Sequence, residues 1–184
     1  MEYQCPNSLL GHRMVCLDLE TTGLDIIRNN IIELGVVEVK QGKVTQQYSK
    51  LFGGGRSSMY LVRKVHGIKD SERSGKPTFK ACCNRIANYL AGAVIITHNG
   101  TKFDIPFMEE KMKVAGVNLS YLRHIDTYLL SRKLEHEKNS LEYLCGQYGI
   151  KYDESNHRGL TDCLCTLQIL YAFCNKFGED KVLG

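Results

Sequence analysis

The stretch Met14-Val-Cys-Leu-Asp-Leu-Glu20 joins the pattern of a buried β-strand to two carboxylates, a combination few folds accommodate. Residues two apart on a strand point to the same face, so Asp18 and Glu20 share one side while Leu17 and Leu19 take the other. The flanking Val15 and Cys16 suggest a central, buried strand, where unpaired acids are costly unless a cation neutralises them. By itself the spacing also fits a half-exposed strand whose polar face meets water. What separates the two readings is whether other acids converge on the same point.

The rest of the pattern describes an α/β domain with a mixed sheet. Ile31-Ile-Glu-Leu-Gly-Val-Val-Glu-Val39 reads as a second strand and Lys43 to Phe52 as a third, joined at Gln41-Gly42, which makes a three-strand antiparallel meander. Gly53-Gly54-Gly55 then breaks the chain into a loop. It is read as flexible and not as a phosphate cradle, because no Gly-Lys-Ser/Thr follows. After Pro77, Phe79, Cys82, Cys83, Ile86, Ala87 and Leu90 recur at helical spacing, and Ala93 to Thr97 is a buried strand. Further helices are expected from about Ile105, over about Thr127 to Leu134, from Ser140 to Tyr148, and from near Gly159 to about Phe177. Strands first, then alternating strands and helices, give this fold class. Residues 1–12 are read as a short polar arm and residues 13–184 as one domain.

Composition narrows the functional classes. No apolar run approaches the roughly 20 residues of a membrane span, and the first residues lack the basic end and apolar stretch of a signal peptide. The expectation is a cytoplasmic protein, with a nuclear one not excluded and a secreted one disfavoured. Of the eight cysteines, Cys16, Cys145, Cys163, Cys165 and Cys174 fall in apolar patterns and are read as free buried thiols; no zinc-type C-x-x-C pair occurs. Residues 56–80 carry seven Lys/Arg (Arg56, Arg63, Lys64, Lys69, Arg73, Lys76, Lys80) against Asp70 and Glu72, a surplus above the +4 of the whole chain. That strip either attracts a polyanion or is a solvated face.

Two more acidic islands follow. Asp104 ends His98-Asn-Gly-Thr-Lys-Phe-Asp104 and precedes Ile105-Pro106, the look of a helix N-cap, yet it also lies beyond the C-terminal edge of a strand, where open α/β sheets place ligands. Asp162 ends His157-Arg-Gly-Leu-Thr-Asp162 in the first turn of the last helix, where the helix dipole favours an anion. His157 would sit in the loop leading in. Each island has an ordinary structural explanation.

In order, however, Asp-x-Glu, His-Asn with a following Phe-Asp, and His-x4-Asp before a C-terminal helix resemble the metal site of the DEDDh (DnaQ-like) 3′→5′ exonucleases, which have a ribonuclease H-like fold. The resemblance covers most of the chain. It implies that Asp18, Glu20 and Asp162 bind one Mg²⁺ or Mn²⁺, that Asp18 helps hold a second, and that Asp104 acts partly through waters. It further implies that His157 is the general base, as an imidazole titrating near neutrality suits. Thr21, Thr22, Gly23 and Leu24 would line the pocket for a terminal 3′-nucleotide, with His66 beside the 3′ end and Asn99 and Phe103 as weaker candidates. Asp126 matches a family position that looks structural. The implied partner is a single-stranded 3′ end of DNA or RNA, and the implied products are nucleoside 5′-monophosphates. A catalytically silent nucleic-acid-binding module on the same fold is the alternative. A nucleotide-cofactor enzyme lacks the expected Gly-x-Gly-x-x-Gly.

Overall fold

The computed structural model describes residues 3–55, 57–152 and 158–184. Five strands form one sheet in the order β3-β2-β1-β4-β5: β1 (Met14–Thr21), β2 (Ile31–Lys40), β3 (Lys43–Leu51), β4 (Val94–Thr97) and β5 (Arg123–Asp126). The first three strands are antiparallel, whereas β4 and β5 run parallel to β1. This is the expected mixed sheet, of ribonuclease H-like type.

Helices cover both faces. Val15, Leu17 and Leu19 of β1 point into a core with α3 (Phe79–Leu90) and α4 (Asp104–Val114), while Met14 and Cys16 face the long α7 (Gly159–Phe177). By the same alternation Asp18 and Glu20 lie on the α7 side. In α7, Cys163, Leu167, Leu170 and Cys174 repeat at helical spacing and are buried with α6 (Leu141–Tyr148) and α8 (Glu179–Leu183). Burying each such Leu contributes about 1.5–3 kcal/mol, so α7 is held to the sheet by its whole length.

Several elements differ from expectation. Helices α1 (Tyr60–His66) and α2 (Asp70–Arg73), strand β5 and helix α8 carry no clear apolar period. α5 (Thr127–Lys133) follows β5 directly, and the Asp126 carboxylate accepts hydrogen bonds from Tyr128 and Leu129 N–H to cap it. Asp104 is the first residue of α4 and not its N-cap, a position held by Phe103. The glycine run is anchored: Gly53 N–H donates to Pro77 O (3.0 Å), and Arg73 Nη1 donates to Gly54 O (3.0 Å). The N-terminal arm packs on the body, with Tyr3 hydroxyl donating to Tyr148 O and the Asn7 and Ser8 N–H groups donating to Glu179. All eight cysteines are free, and seven of them are buried. Among the described residues no helix is long and apolar enough to cross a membrane.

Candidate active site

The site lies where β1 ends against the start of α7. Asp18 and Glu20 project from β1, and Asp162 projects from the first turn of α7; ligand oxygens of the three lie within 4.8 Å of one another. Two glycines allow this approach. A Cβ on Gly35, the β2 partner of Asp18, would lie 2.1 Å from the Gly159 carbonyl carbon, and one on Gly159 would lie 3.1 Å from Asp18 O. α7 therefore begins almost on the sheet backbone, which brings Asp162 within reach of the two strand acids. The ladder shifts register between Glu20 and Thr21, where Ile32 of β2 is left without a partner on β1, so the irregularity falls at the edge of the site.

Asp104 stands behind this trio. Its carboxylate accepts the Leu19 N–H at 2.9 Å in the core of the molecule, and it lies outside the three-carboxylate cluster. Burial and mutual repulsion dominate the electrostatics. Burial first, then Asp104, Glu20 and Asp162, push the Asp18 carboxyl well above its usual range. Burial, followed by Glu33, Asp162 and Asp104, raises Glu20 to about 8. Burial raises Asp104 to about 7 against the hydrogen bond from Leu19. Carboxyls that resist ionisation together, offering only hard oxygens, fit a divalent cation such as Mg²⁺ or Mn²⁺.

The other expected residues surround the trio in different ways. Thr21 Oγ1 donates to Gly23 O (2.7 Å), and Thr22 Oγ1 accepts from Asn30 N–H (2.9 Å), which shapes the turn after β1. A Cβ on Gly23 would lie 2.6 Å from Asn29 Oδ1, so a side chain there would displace that of Asn29. Leu24 is 74% exposed. His66 is buried, its Nδ1 accepts the Ile68 N–H, and its Nε2 has no hydrogen-bond partner among the described residues. Asn99 adopts a left-handed backbone (φ 64°) and donates its N–H to Asp126 Oδ1 (2.8 Å), while Thr101 N–H donates to Asp126 Oδ2 (2.9 Å). Asp126 thus fastens the segment that leads to Asp104. Phe103 packs tilted on Phe107. His157 lies outside the described residues.

Sequence reading missed a second charged group beside the site. Glu33, cross-strand partner of Glu20, is completely buried and receives Arg158 Nε at 3.1 Å and Nη2 at 2.9 Å, the Ser49 hydroxyl and the Gly159 N–H (3.4 Å). Arg158 Nη1 also lies 3.9 Å from Glu72. This brace ties the entry of α7 to the sheet. Its signal was a glutamate inside the apolar run Ile31 to Val39, together with an arginine directly before Gly159. Tyr152 was also missed; burial first and then the neighbouring Asp162 carboxylate push its hydroxyl well above the usual range.

The model of the exonuclease family RNase_T matches residues 15–170. The chain is 28% identical over 177 residues to a PolC-type DNA polymerase III of Halalkalibacterium halodurans, covering 95% of this chain and 12% of that protein. It is 30% identical over 161 residues to a DNA polymerase III subunit epsilon of Buchnera aphidicola subsp. Acyrthosiphon pisum, covering 82% of this chain and 68% of the subunit. The structure of E. coli exonuclease I in complex with a dT13 oligonucleotide has the same fold, with a TM-score of 0.78 at 14% identity over 92% of this chain and 42% of that one. The chain therefore spans only a small part of the PolC-type polymerase it matches.

Proposed function

The chain belongs to the exonuclease family, of the DEDDh (DnaQ-like) type, and from that premise we propose that it is a metal-dependent 3′→5′ exonuclease. It would hydrolyse phosphodiester bonds at single-stranded DNA or RNA 3′ ends and release nucleoside 5′-monophosphates. The convergence of Asp18, Glu20 and Asp162 ligand oxygens within 4.8 Å is the observation that carries this reading.

Asp18, Glu20 and Asp162 would hold one Mg²⁺ or Mn²⁺ ion and Asp18 would help hold a second, with Asp104 acting partly through waters. When bound, such ions supply Lewis-acid stabilisation of the charge on the attacking and leaving oxygens. The protein's own part is positional. The Gly35–Gly159 contact and the Glu33–Arg158 brace fix where α7 starts, and with it the Asp162 carboxylate. His157 takes a proton from the attacking water, a task for an imidazole that titrates near neutrality. Thr21, Thr22, Gly23 and Leu24 cradle the terminal nucleotide, with His66 offering its Nε2 and with Asn99 and Phe103 at the margin.

The test is incubation of purified protein with matched, 3′-labelled and 5′-labelled DNA and RNA oligonucleotides, with Mg²⁺, with Mn²⁺ and with chelator. Mononucleotides released stepwise from the 3′ end, only with metal, are expected. Degradation from the 5′ end, or an equal rate in chelator, would overturn the proposal. Binding without any hydrolysis would favour the silent module.

A further inference from the structure

The sheet has a second hollow, on the face turned away from the acidic cluster. In β3 the side chains of Tyr48 and Lys50 fall on one face, in register with Val36 and Leu34 of β2, and α3 sets Arg85, Ile86 and Tyr89 opposite them. β3 is the edge of the sheet, whereas the buried side of α3 packs on β1 and β2. Between helix and edge strand lies a cavity of about 430 Å³, within the about 300–1,000 Å³ of small-molecule sites. Leu34 stands in register with Leu19 on β1, next to the Asp18 partner Gly35, so the cavity is one sheet thickness behind the candidate active site.

Its lining is aromatic and apolar inside and cationic at the mouth. Leu34 and Ile86 are buried, Lys50 is half-buried and Arg85 is exposed. The Tyr48 and Tyr89 rings meet edge to face, with centroids 6.4 Å apart. Tyr89 is held in place by Arg13, whose guanidinium carbon lies 5.3 Å from its ring centroid while Nη2 donates to Tyr89 O (2.7 Å) and Ala91 O (3.0 Å). Burial above all raises both tyrosine hydroxyls, which therefore stay neutral.

Charge narrows the occupant. Among the described residues no acid lines the cavity, and neither Lys50 nor Arg85 has a carboxylate within 4.0 Å. Glu38 acts on both tyrosines, yet its own charge is matched by Arg13 (3.1 Å) and Lys40 (3.0 Å) and its carboxylate accepts the Thr45 hydroxyl (2.7 Å). Flat aromatic walls over an apolar floor suit a planar body, and two unmatched cations at the mouth suit an anionic end. A nucleoside 5′-monophosphate has both parts, and the proposed reaction would release it on the other side of the sheet.

We propose that this cavity binds a free nucleoside 5′-monophosphate, its base against Tyr48 and Tyr89 and its phosphate between Lys50 and Arg85. The choice of a nucleotide rests on the exonuclease reading; the fit to a planar anion rests on the cavity.

The test is calorimetric titration with adenosine 5′-monophosphate, adenosine and inorganic phosphate in chelator, which withholds the cations that a phosphate at the acidic cluster would need. Saturable binding of the monophosphate is expected, with each fragment weaker by about tenfold or more. Lys50→Gln/Arg85→Gln should weaken the monophosphate by about tenfold or more through loss of charge-assisted contacts, and should leave adenosine unchanged. Tyr48→Leu should weaken monophosphate and adenosine alike, since it removes a stacking face. The unfolding midpoint of the Lys50/Arg85 variant should be unchanged, because both side chains reach solvent; should Tyr48→Leu lower its own midpoint, the charge variant decides alone. No saturable binding of the monophosphate, or equal affinity in the charge variant, overturns the proposal. So does an equal loss of oligonucleotide affinity in that variant, which would put a strand and not a free nucleotide in the cavity. Cleavage of a 3′-labelled oligonucleotide with metal, expected at the same rate in the charge variant, tests the exonuclease reading separately. If no protein cleaves it, that reading fails, while monophosphate binding that depends on Lys50 and Arg85 still establishes the cavity as a nucleotide site.

Discussion

Removing Arg158 should cost far more than the loss of an ordinary surface arginine, because it strands the Glu33 charge. Glu33 has no exposed surface and takes two of its hydrogen bonds from the Arg158 guanidinium, leaving among the described residues the Ser49 hydroxyl and a long contact from Gly159 N–H. Breaking a buried pair by deleting one partner costs about 3–5 kcal/mol. Arg158 is 30% exposed, so water already screens part of the attraction, and the expected cost of Arg158→Ala is about 2–3 kcal/mol. Glu33→Gln keeps a side chain of the same shape for Ser49 and removes the charge, for about 1–2 kcal/mol. In the double variant nothing charged is left behind, so its cost should fall short of the sum of the singles by about 1–2 kcal/mol. Urea unfolding of all four proteins at neutral pH, in chelator, measures this cycle. Additive costs, or an Arg158→Ala cost below about 0.5 kcal/mol, would refute the argument that the pair braces the start of α7.

Gly35→Ala should destabilise the protein by about 1–3 kcal/mol through overpacking, and should lower nuclease turnover, because the added carbon would lie 2.1 Å from the Gly159 carbonyl carbon. Gly11→Ala, with nothing within 4 Å, serves as the control. In chelator, thermal stability should fall as pH rises. Glu20 titrates at about 8 in the fold against 4.5 ordinarily, so its favourable contribution is complete below the lower value and lost as pH passes through the upper one. Asp18→Asn should flatten that slope and raise the midpoint at pH about 8, and a slope equal to that of the unaltered protein would contradict the crowding of these acids. His157→Ala should slow single-turnover cleavage by about 10²–10⁴-fold and leave oligonucleotide affinity nearly intact; near-normal cleavage would remove the imidazole from the chemistry.

Strands β1, β2 and β4 and helices α3 and α7 were legible because each buries an apolar face whose period appears in the sequence. The elements that escaped obey other forces. β5 pairs with β4 through backbone hydrogen bonds, and its sequence Arg-His-Ile-Asp offers one apolar side chain to the core. α1 escaped because most of its apolar side chains point outward, so its composition suggests a buried segment and its environment is the reverse. The glycine run was read as mobile because glycine permits mobility; yet a Cβ on Gly53 would lie 2.3 Å from Lys76 O, so there it serves close backbone approach.

The acidic islands show why a local motif underdetermines a site. Asp18 and Glu20 could be paired from strand alternation alone, but nothing within either island says that Asp162, more than a hundred residues on, lies beside them. That meeting depends on how closely α7 approaches β1 and β2, which the absence of two β-carbons, at Gly35 and Gly159, decides. Once the helix is that close, its entry must also be held against the mutual repulsion that, after burial, raises Asp18 and Glu20. The Arg158 guanidinium opposes that repulsion, since it counters the rise at Glu20 while bonding Glu33. The two glycines and the ion pair thus form a single device: one lets the carboxylates converge, and the other keeps the helix that carries the third from being pushed away.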